Sequence, residues 1–258
     1  MRIIISPAKK MNIDTDTLPC HTTPRFLSQT RELMDYIKSL TYDQCKAIWK
    51  CNDKIAAQNY GRFADMDLER ALTPAILSYE GIQYQYMAPL VLETSALDYL
   101  QEHLRILSGF YGILKPFDGI VPYRLEMQAR LADERLDSLY DFWGNLLAEA
   151  LFEEDSFILN LASKEYSKGI SNHLRPEITF VTCIFGELVD GKVVEKGTFA
   201  KMARGEMVRF LAEHQVENLD GVCRFDRMGY RFCQERSDDK TLVFMKSTNE
   251  SNNRITKR

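Results

Sequence analysis

Two glycines three positions apart close the word Ser108-Gly-Phe-Tyr-Gly112, and a basic and aromatic segment follows them to Arg124. A turn of this kind can present backbone N–H groups to a phosphate, glycine allowing the close approach, as helix-hairpin-helix modules do. The same spacing describes a glycine that caps a helix and turns its aromatic neighbours into the core. Downstream, Pro122-Tyr-Arg-Leu-Glu-Met127 alternates with period two, so Tyr123, Leu125 and Met127 share one side and Arg124 and Glu126 the other. Those two charges either pair with each other or let Arg124 hold a phosphate that Glu126 orients.

Two further segments offer charge in an anion-binding setting. Lys201, Arg204 and Arg209 share part of a helical face over Met202, Met207, Val208 and Phe210, which suits backbone phosphates or simply a solvated helix face. Asn160-Leu-Ala-Ser163-Lys164-Glu-Tyr166 reads as a strand leading into a helix start, with Ser163 as N-cap and Lys164 adding charge to its amide groups. Near the beginning, Arg2-Ile-Ile-Ile-Ser6-Pro7 is a short buried strand that delivers Lys9 into the following loop.

The elements that must hold these groups mix helices and strands without regular alternation. Apolar residues recur at helical spacing between Leu27 and Phe63, with Thr41 as an N-cap. Helices are predicted over Ser95–Ser108, ending at Gly109, and over Ser138–Phe152. A short helix opens at Thr73-Pro74, and the tyrosines after Gly81 suggest a turn with a brief extended piece. Strands are predicted at Phe157–Leu161 and Ile178–Phe185, with a hairpin at Asp190-Gly191 leading to Val193-Val194. A helix over Phe199–Glu213 and short strands at Val222–Phe225, Tyr230–Cys233 and Leu242–Phe244 complete the pattern. This order points to one α+β domain over residues 1–245, with a polar tail from Lys246 to Arg258.

Composition narrows the function classes. The chain has 258 residues, 45% of them hydrophobic, enough to bury a sizeable core. No apolar run approaches the ~18 residues of a membrane helix, and the start lacks a signal-peptide core, so a cytoplasmic location and no membrane partner are expected. The net charge of −4 confines any phosphate binding to local patches. Six cysteines at scattered positions, without a CxxC pair, read as reduced structural thiols. Cys20-His21 has no second ligand pair at a suitable spacing, and neither a metal nor another cofactor is expected.

Several of these words recur together in one known family. Ile5-Ser-Pro-Ala-Lys9, Asn52-Asp-Lys54, Asn59 with Arg62-Phe63, His103 to Met127, Leu139-Tyr140 with Phe142-Trp-Gly144, Asn160 to Tyr166, and Ala203-Arg-Gly205 closely resemble the bacterial peroxide-stress family YaaA in order and spacing. The resemblance extends to Tyr230-Arg-Phe232 and so covers nearly the whole chain. It implies a cytosolic protein of the oxidative-stress response, associated with limiting free intracellular iron, that binds DNA through a helix-hairpin-helix-like element beside a positively charged cleft. Mapped onto this chain, the DNA and phosphate contacts implied are Lys9, Lys54, Arg62, Arg105, Gly109, Tyr111, Gly112, Arg124, Lys164, Lys201 and Arg204, joined in the cleft by Asp53, Asp118 and Glu126. This sequence departs from the family pattern at Lys10, Gln85-Tyr86, Gln128 and Met202, the last of which removes a positive charge from the Lys201–Arg204 ridge.

Two functions follow as expectations. The first is a binding protein for double-stranded DNA with little sequence readout. The alternative is a glycosylase- or lyase-like enzyme on damaged DNA or a phosphate-bearing nucleotide, its chemistry carried by Lys9, Asp53, Asp118 and Glu126. Direct iron handling finds no support in four histidines (His21, His103, His173, His214) without ligand spacing.

Overall fold

A computed structural model describes residues 1–133 and 136–246. The class is α+β, and contacts within the chain cluster into two compact units, Met1–Gly81 with Leu97–Phe180, and Ile82–Ala96 with Val181–Arg258. The polar tail expected from Lys246 lies, after Lys246 itself, outside the described residues. Among the described residues no helix is long and apolar enough to cross a membrane.

The first unit is built on β1 (Arg2–Ile5), β2 (Leu104–Ser108), β3 (Gly112–Leu114) and β4 (Phe157–Asn160). β1 runs parallel to both β4 and β2, and β2 turns back antiparallel into β3. Ile3, Ile4 and Ile5 are fully buried, which is why the first strand reads as an unbroken β-branched run instead of an alternating one. Around this sheet stand α1 (Leu27–Ser39), α2 (Tyr42–Trp49) and α3 (Asp53–Ala64). Thr41 begins α2 with a reciprocal capping box, its hydroxyl accepting from Gln44 N–H while the Gln44 side chain accepts from Thr41 N–H. The long helix predicted over Ser138–Phe152 forms as two, Leu139–Trp143 and Leu146–Glu154, because Gly144 takes a positive φ of 49° between them.

In the second unit, strand Thr179–Val189 runs parallel to Thr241–Lys246, which pairs antiparallel with Tyr230–Phe232. The hairpin at Asp190-Gly191 forms as expected, both residues at positive φ, and returns through Lys192–Val194. Helix Gly197–Glu213 packs closely on helix Ile82–Met87, where a Cβ on Gly205 would lie 2.1 Å from the Gln83 carbonyl oxygen. That close approach corrects the extended piece expected after Gly81, since Ile82–Met87 is a helix held by tertiary packing. Val222–Phe225 is likewise corrected: Asn218 accepts from Gly221 N–H and starts a short helix, Leu219–Cys223.

The largest correction falls on the glycine turn. The helix expected to run to Ser108 ends at His103, and Leu104–Ser108 is a strand with every residue buried. Leu104, Ile106 and Leu107 suit either a helical stripe or a buried strand, and pairing with β1 decides for the strand. Gly109–Gly112 is therefore part of a β-hairpin, Ser108 pairing with Gly112, and no helix-hairpin-helix forms there.

Candidate functional site

The buried hairpin uses its own amide groups. Ser108 Oγ accepts from Phe110 N–H at 3.1 Å and Tyr111 N–H at 2.8 Å, and it is also hydrogen-bonded to Tyr123 Oη at 2.6 Å. Phe110 and Tyr111 are buried, Tyr111 Oη accepts from Val121 N–H, and Trp143 Nε1–H donates to the Gly109 carbonyl. Burial pushes the Tyr123 hydroxyl up to about 12, against the hydrogen bonds to Ser108 and Tyr79. Tyr111 is thus a packing residue whose N–H is taken by Ser108, and Gly109 and Gly112 belong to the packed hairpin. What the turn does is support the strip above it, because a Cβ on Gly109 would lie 2.5 Å from the Leu125 carbonyl oxygen.

That strip behaves as its alternation predicts. Tyr123, Leu125 and Met127 are buried, while Arg124 and Glu126 reach the surface side. Arg124 Nη2 meets Glu126 Oε1 at 2.9 Å, and Lys9 Nζ meets Glu126 Oε2 at 2.6 Å. The lysine arrives from the loop after β1, so a buried strand end and an extended loop bring together residues more than a hundred positions apart. Ligands of open parallel sheets gather at the carboxyl ends of the strands, and Lys9 stands on that side. Ser163 Oγ, past the end of β4, accepts from Ser6 Oγ–H at 3.1 Å, and Ser6 Oγ accepts from Ser163 N–H at 2.8 Å. Ser163 precedes helix Lys164–Ser171 as foreseen but makes no cap to it, its hydroxyl being turned to Ser6.

A cleft of about 100 Å³ opens at this point, lined by Lys9, Ile48, Trp49, Lys50, Arg124, Glu126, Gln128 and Ala129. Trp49 ends α2 and stacks on Phe63, with ring centroids 5.8 Å apart. Lys50 takes the left-handed conformation (φ 44°) that caps the helix. Two buried donors in this wall, Trp49 Nε1–H and Arg124 Nε–H, have no hydrogen-bond partner among the described residues. Glu165 completes the surroundings, accepting from Gln128 N–H at 3.3 Å. Burial holds its carboxyl above the ordinary glutamate value, opposed by that N–H, reinforced by the Glu126 charge and opposed again by Lys9.

The remaining sequence candidates scatter. Asp53 is exposed and paired with Lys46 at 2.6 Å, whose hydrogen bond holds the carboxyl below its ordinary value. Lys54 and Lys164 are exposed. Arg62 is half-buried, near Asn59 Oδ1 (3.4 Å) and the Met11 carbonyl (3.5 Å), and burial lowers its basicity. Lys201 and Arg204 lie in the second unit, where Lys201 is exposed and Arg204 pairs with Glu195 at 3.2 Å.

Arg105 and Asp118 stand apart from this cleft, both 2% exposed and lining a separate cavity of about 430 Å³. Its wall also includes Arg2, Thr22, Lys115 and Glu154. Asp118 accepts from Thr22 Oγ1–H at 2.6 Å and from Lys115 N–H at 2.8 Å. Burial nevertheless raises its carboxyl above the ordinary aspartate value. A raised folded-state value means that the contribution to stability is present at low pH and is lost as pH rises through that value. Asp118→Asn should therefore gain on the wild type between about pH 4 and 7, the Thr22 hydroxyl reversing to accept from the new amide. Urea unfolding at both pH values tests this, and parallel curves would remove Asp118 as the cause.

The residues that sequence reasoning missed are Trp49, Lys50 and Glu165. Trp49 and Lys50 close the helical run just before the Asn52 N-cap, a position that marks a helix end but carries no sign of which wall it faces.

A family model described as "Peroxide stress protein YaaA" matches residues 1–236. The chain is 56% identical to a UPF0246 protein of Lachnoclostridium phytofermentans over 252 residues, 98% of each chain. It is 53% identical to UPF0246 proteins of Agathobacter rectalis and Lactiplantibacillus plantarum, each alignment covering 95% of this chain and 98% or 99% of the relative.

Proposed function

We infer, for a chain that belongs to the peroxide stress protein YaaA family, that the cleft between Lys9, Lys50 and Arg124 binds the phosphate backbone of DNA. The observation that carries this reading is the pair of buried donors, Trp49 Nε1–H and Arg124 Nε–H, left without acceptors beside two lysines. An unpaired buried donor costs about 1–3 kcal/mol, and an anionic oxygen would recover that energy. Contacts of this type position a duplex without reading its bases, so affinity is electrostatic and largely independent of sequence. Protection of DNA during peroxide stress, with an accompanying limit on free iron, is the role we assign to it.

The geometry favours binding over attack. Lys9 is 64% exposed and ion-paired with Glu126, so it would have to leave its partner and lose its proton before acting as a nucleophile. Asp118, offered as a second catalytic carboxyl, lines the other cavity.

Anisotropy titrations with duplex DNA at two salt concentrations test the reading. The wild type should bind at low salt and weaken steeply as salt rises. The double variant Lys9→Ala/Arg124→Ala should lose on the order of ten-fold at low salt, with a slope shallower by about 1–2. Unchanged affinity and slope in the double variant would refute the assignment of this cleft.

A further inference from the structure

We propose that this cleft is a receptor for a phosphomonoester, the terminal phosphate of a free nucleotide or of a nucleic-acid strand end. The proposal rests on the preceding reading that the cleft is the anion site, and it adds which anion. Indole Nε1–H and guanidinium Nε–H only donate, as do the ammonium groups of Lys9 and Lys50, so the complementary ligand atoms must be acceptors. Glu126 engages Arg124 through Nη2 alone and Lys9 through its other oxygen, which orients both cations while leaving Arg124 Nε unpaired. Three cations face the one carboxylate in the cleft wall, with Glu165 close by, so a doubly charged ligand gains more than a singly charged one.

Charge and the number of free oxygens make the same selection. The cleft, of about 100 Å³, has room for one phosphate head. An internal phosphodiester can reach the same cleft with its two sugars outside, but it brings one negative charge where a terminal phosphate brings up to two. A terminal phosphate presents three free oxygens on a single stem, and the two buried N–H groups can each take one.

The experiment compares a short terminally phosphorylated oligonucleotide with its hydroxyl-ended twin by fluorescence anisotropy, and a nucleoside monophosphate with its nucleoside by calorimetry. In at least one pair the phosphorylated member should bind about ten-fold tighter, the worth of a charge-assisted hydrogen bond to a buried donor. A preference in the oligonucleotide pair identifies the strand end as the source; a preference confined to the nucleotide identifies the free ligand.

Trp49→Phe keeps a ring against Phe63 and deletes only the N–H, so it should bring the phosphorylated and unphosphorylated members of each pair to equal affinity. Should that variant fail to fold, Arg124→Lys keeps the charge, removes Nε and should show the same loss. Equal affinity within both pairs, or a preference that survives in the folded variant, overturns the proposal. Failure of the DNA-backbone reading looks different, because then neither oligonucleotide binds while the nucleotide pair still reports on the phosphomonoester.

Discussion

Glu154→Ala should lower the unfolding free energy by about 3–5 kcal/mol at neutral pH, the usual cost of stripping a buried charge of its partner. Arg105 is 2% exposed, and its Nε and Nη2 meet Glu154 Oε2 at 2.8 and 2.5 Å. Its Nη1 is spent on the Leu104 and Gln101 carbonyls at 2.7 and 3.2 Å. Arg2 Nε reaches the same Glu154 oxygen at 3.0 Å, so one carboxylate neutralises two guanidinium groups at the start of β1 and β2. Removing it leaves Arg105 with a full charge and no carboxylate partner.

Acidification should reproduce part of that loss in the wild type. Burial alone would raise the Glu154 carboxyl, but the hydrogen bonds and charges of Arg105 and Arg2 outweigh it and hold the carboxyl below its ordinary value. A lowered folded-state value contributes stability that is present above the ordinary glutamate range, about pH 4–5, and is lost as pH falls through the folded value. Urea denaturation across that window should therefore show a steeper acid loss for the wild type than for Glu154→Gln. A cost below about 1 kcal/mol for Glu154→Ala would mean that water replaces the carboxylate and that Arg105 is less enclosed than its contacts indicate.

Gly109→Ala should be the second most damaging change, and through packing. The added Cβ would stand 2.5 Å from the Leu125 carbonyl oxygen and 3.0 Å from Glu126 C and Met127 N. These are backbone atoms, which cannot swing aside as a side-chain end can. Overpacking of this kind costs about 1–3 kcal/mol, or roughly 2–4 °C in Tm for each kcal/mol in a chain of this size. Because the displaced strip carries Arg124 and Glu126, the DNA affinity proposed for this cleft should fall with it. An exposed phosphate-cradling turn would behave otherwise, losing affinity while keeping its melting temperature. Thermal melting and anisotropy on the same preparation separate the two, and an unshifted Tm would return the turn to a ligand-binding role.

The contrast between that turn and the strip beside it shows where sequence reasoning holds. Alternation over Pro122–Met127 carried the right side-chain sorting even though the segment pairs with no strand, because sidedness depends only on local extended geometry. The Gly109–Gly112 spacing suits a helix cap, a phosphate cradle and a hairpin alike, and β1 alone selected the hairpin by pairing with Leu104–Ile106. Likewise Ile82–Met87 became helical where Gly205 lets Gly197–Glu213 approach it closely, a contact between segments more than a hundred residues apart.

Taken alone, the chain determined what depends on neighbours: the Thr41 capping box, the Asp190-Gly191 hairpin, the buried first strand, the placing of Arg124 and Glu126 on one side of their strip, and the words that mark its family. Tertiary structure alone decided which cations share a wall. It joined Lys9 to Glu126, set Trp49 and Lys50 beside them, and withdrew Arg105 and Asp118 into another cavity. Residue types list the available donors and acceptors, but only the packed fold satisfies most of them. The Phe110 and Tyr111 amides of the turn proved to be among the satisfied, and Trp49 Nε1 and Arg124 Nε among those left without a partner.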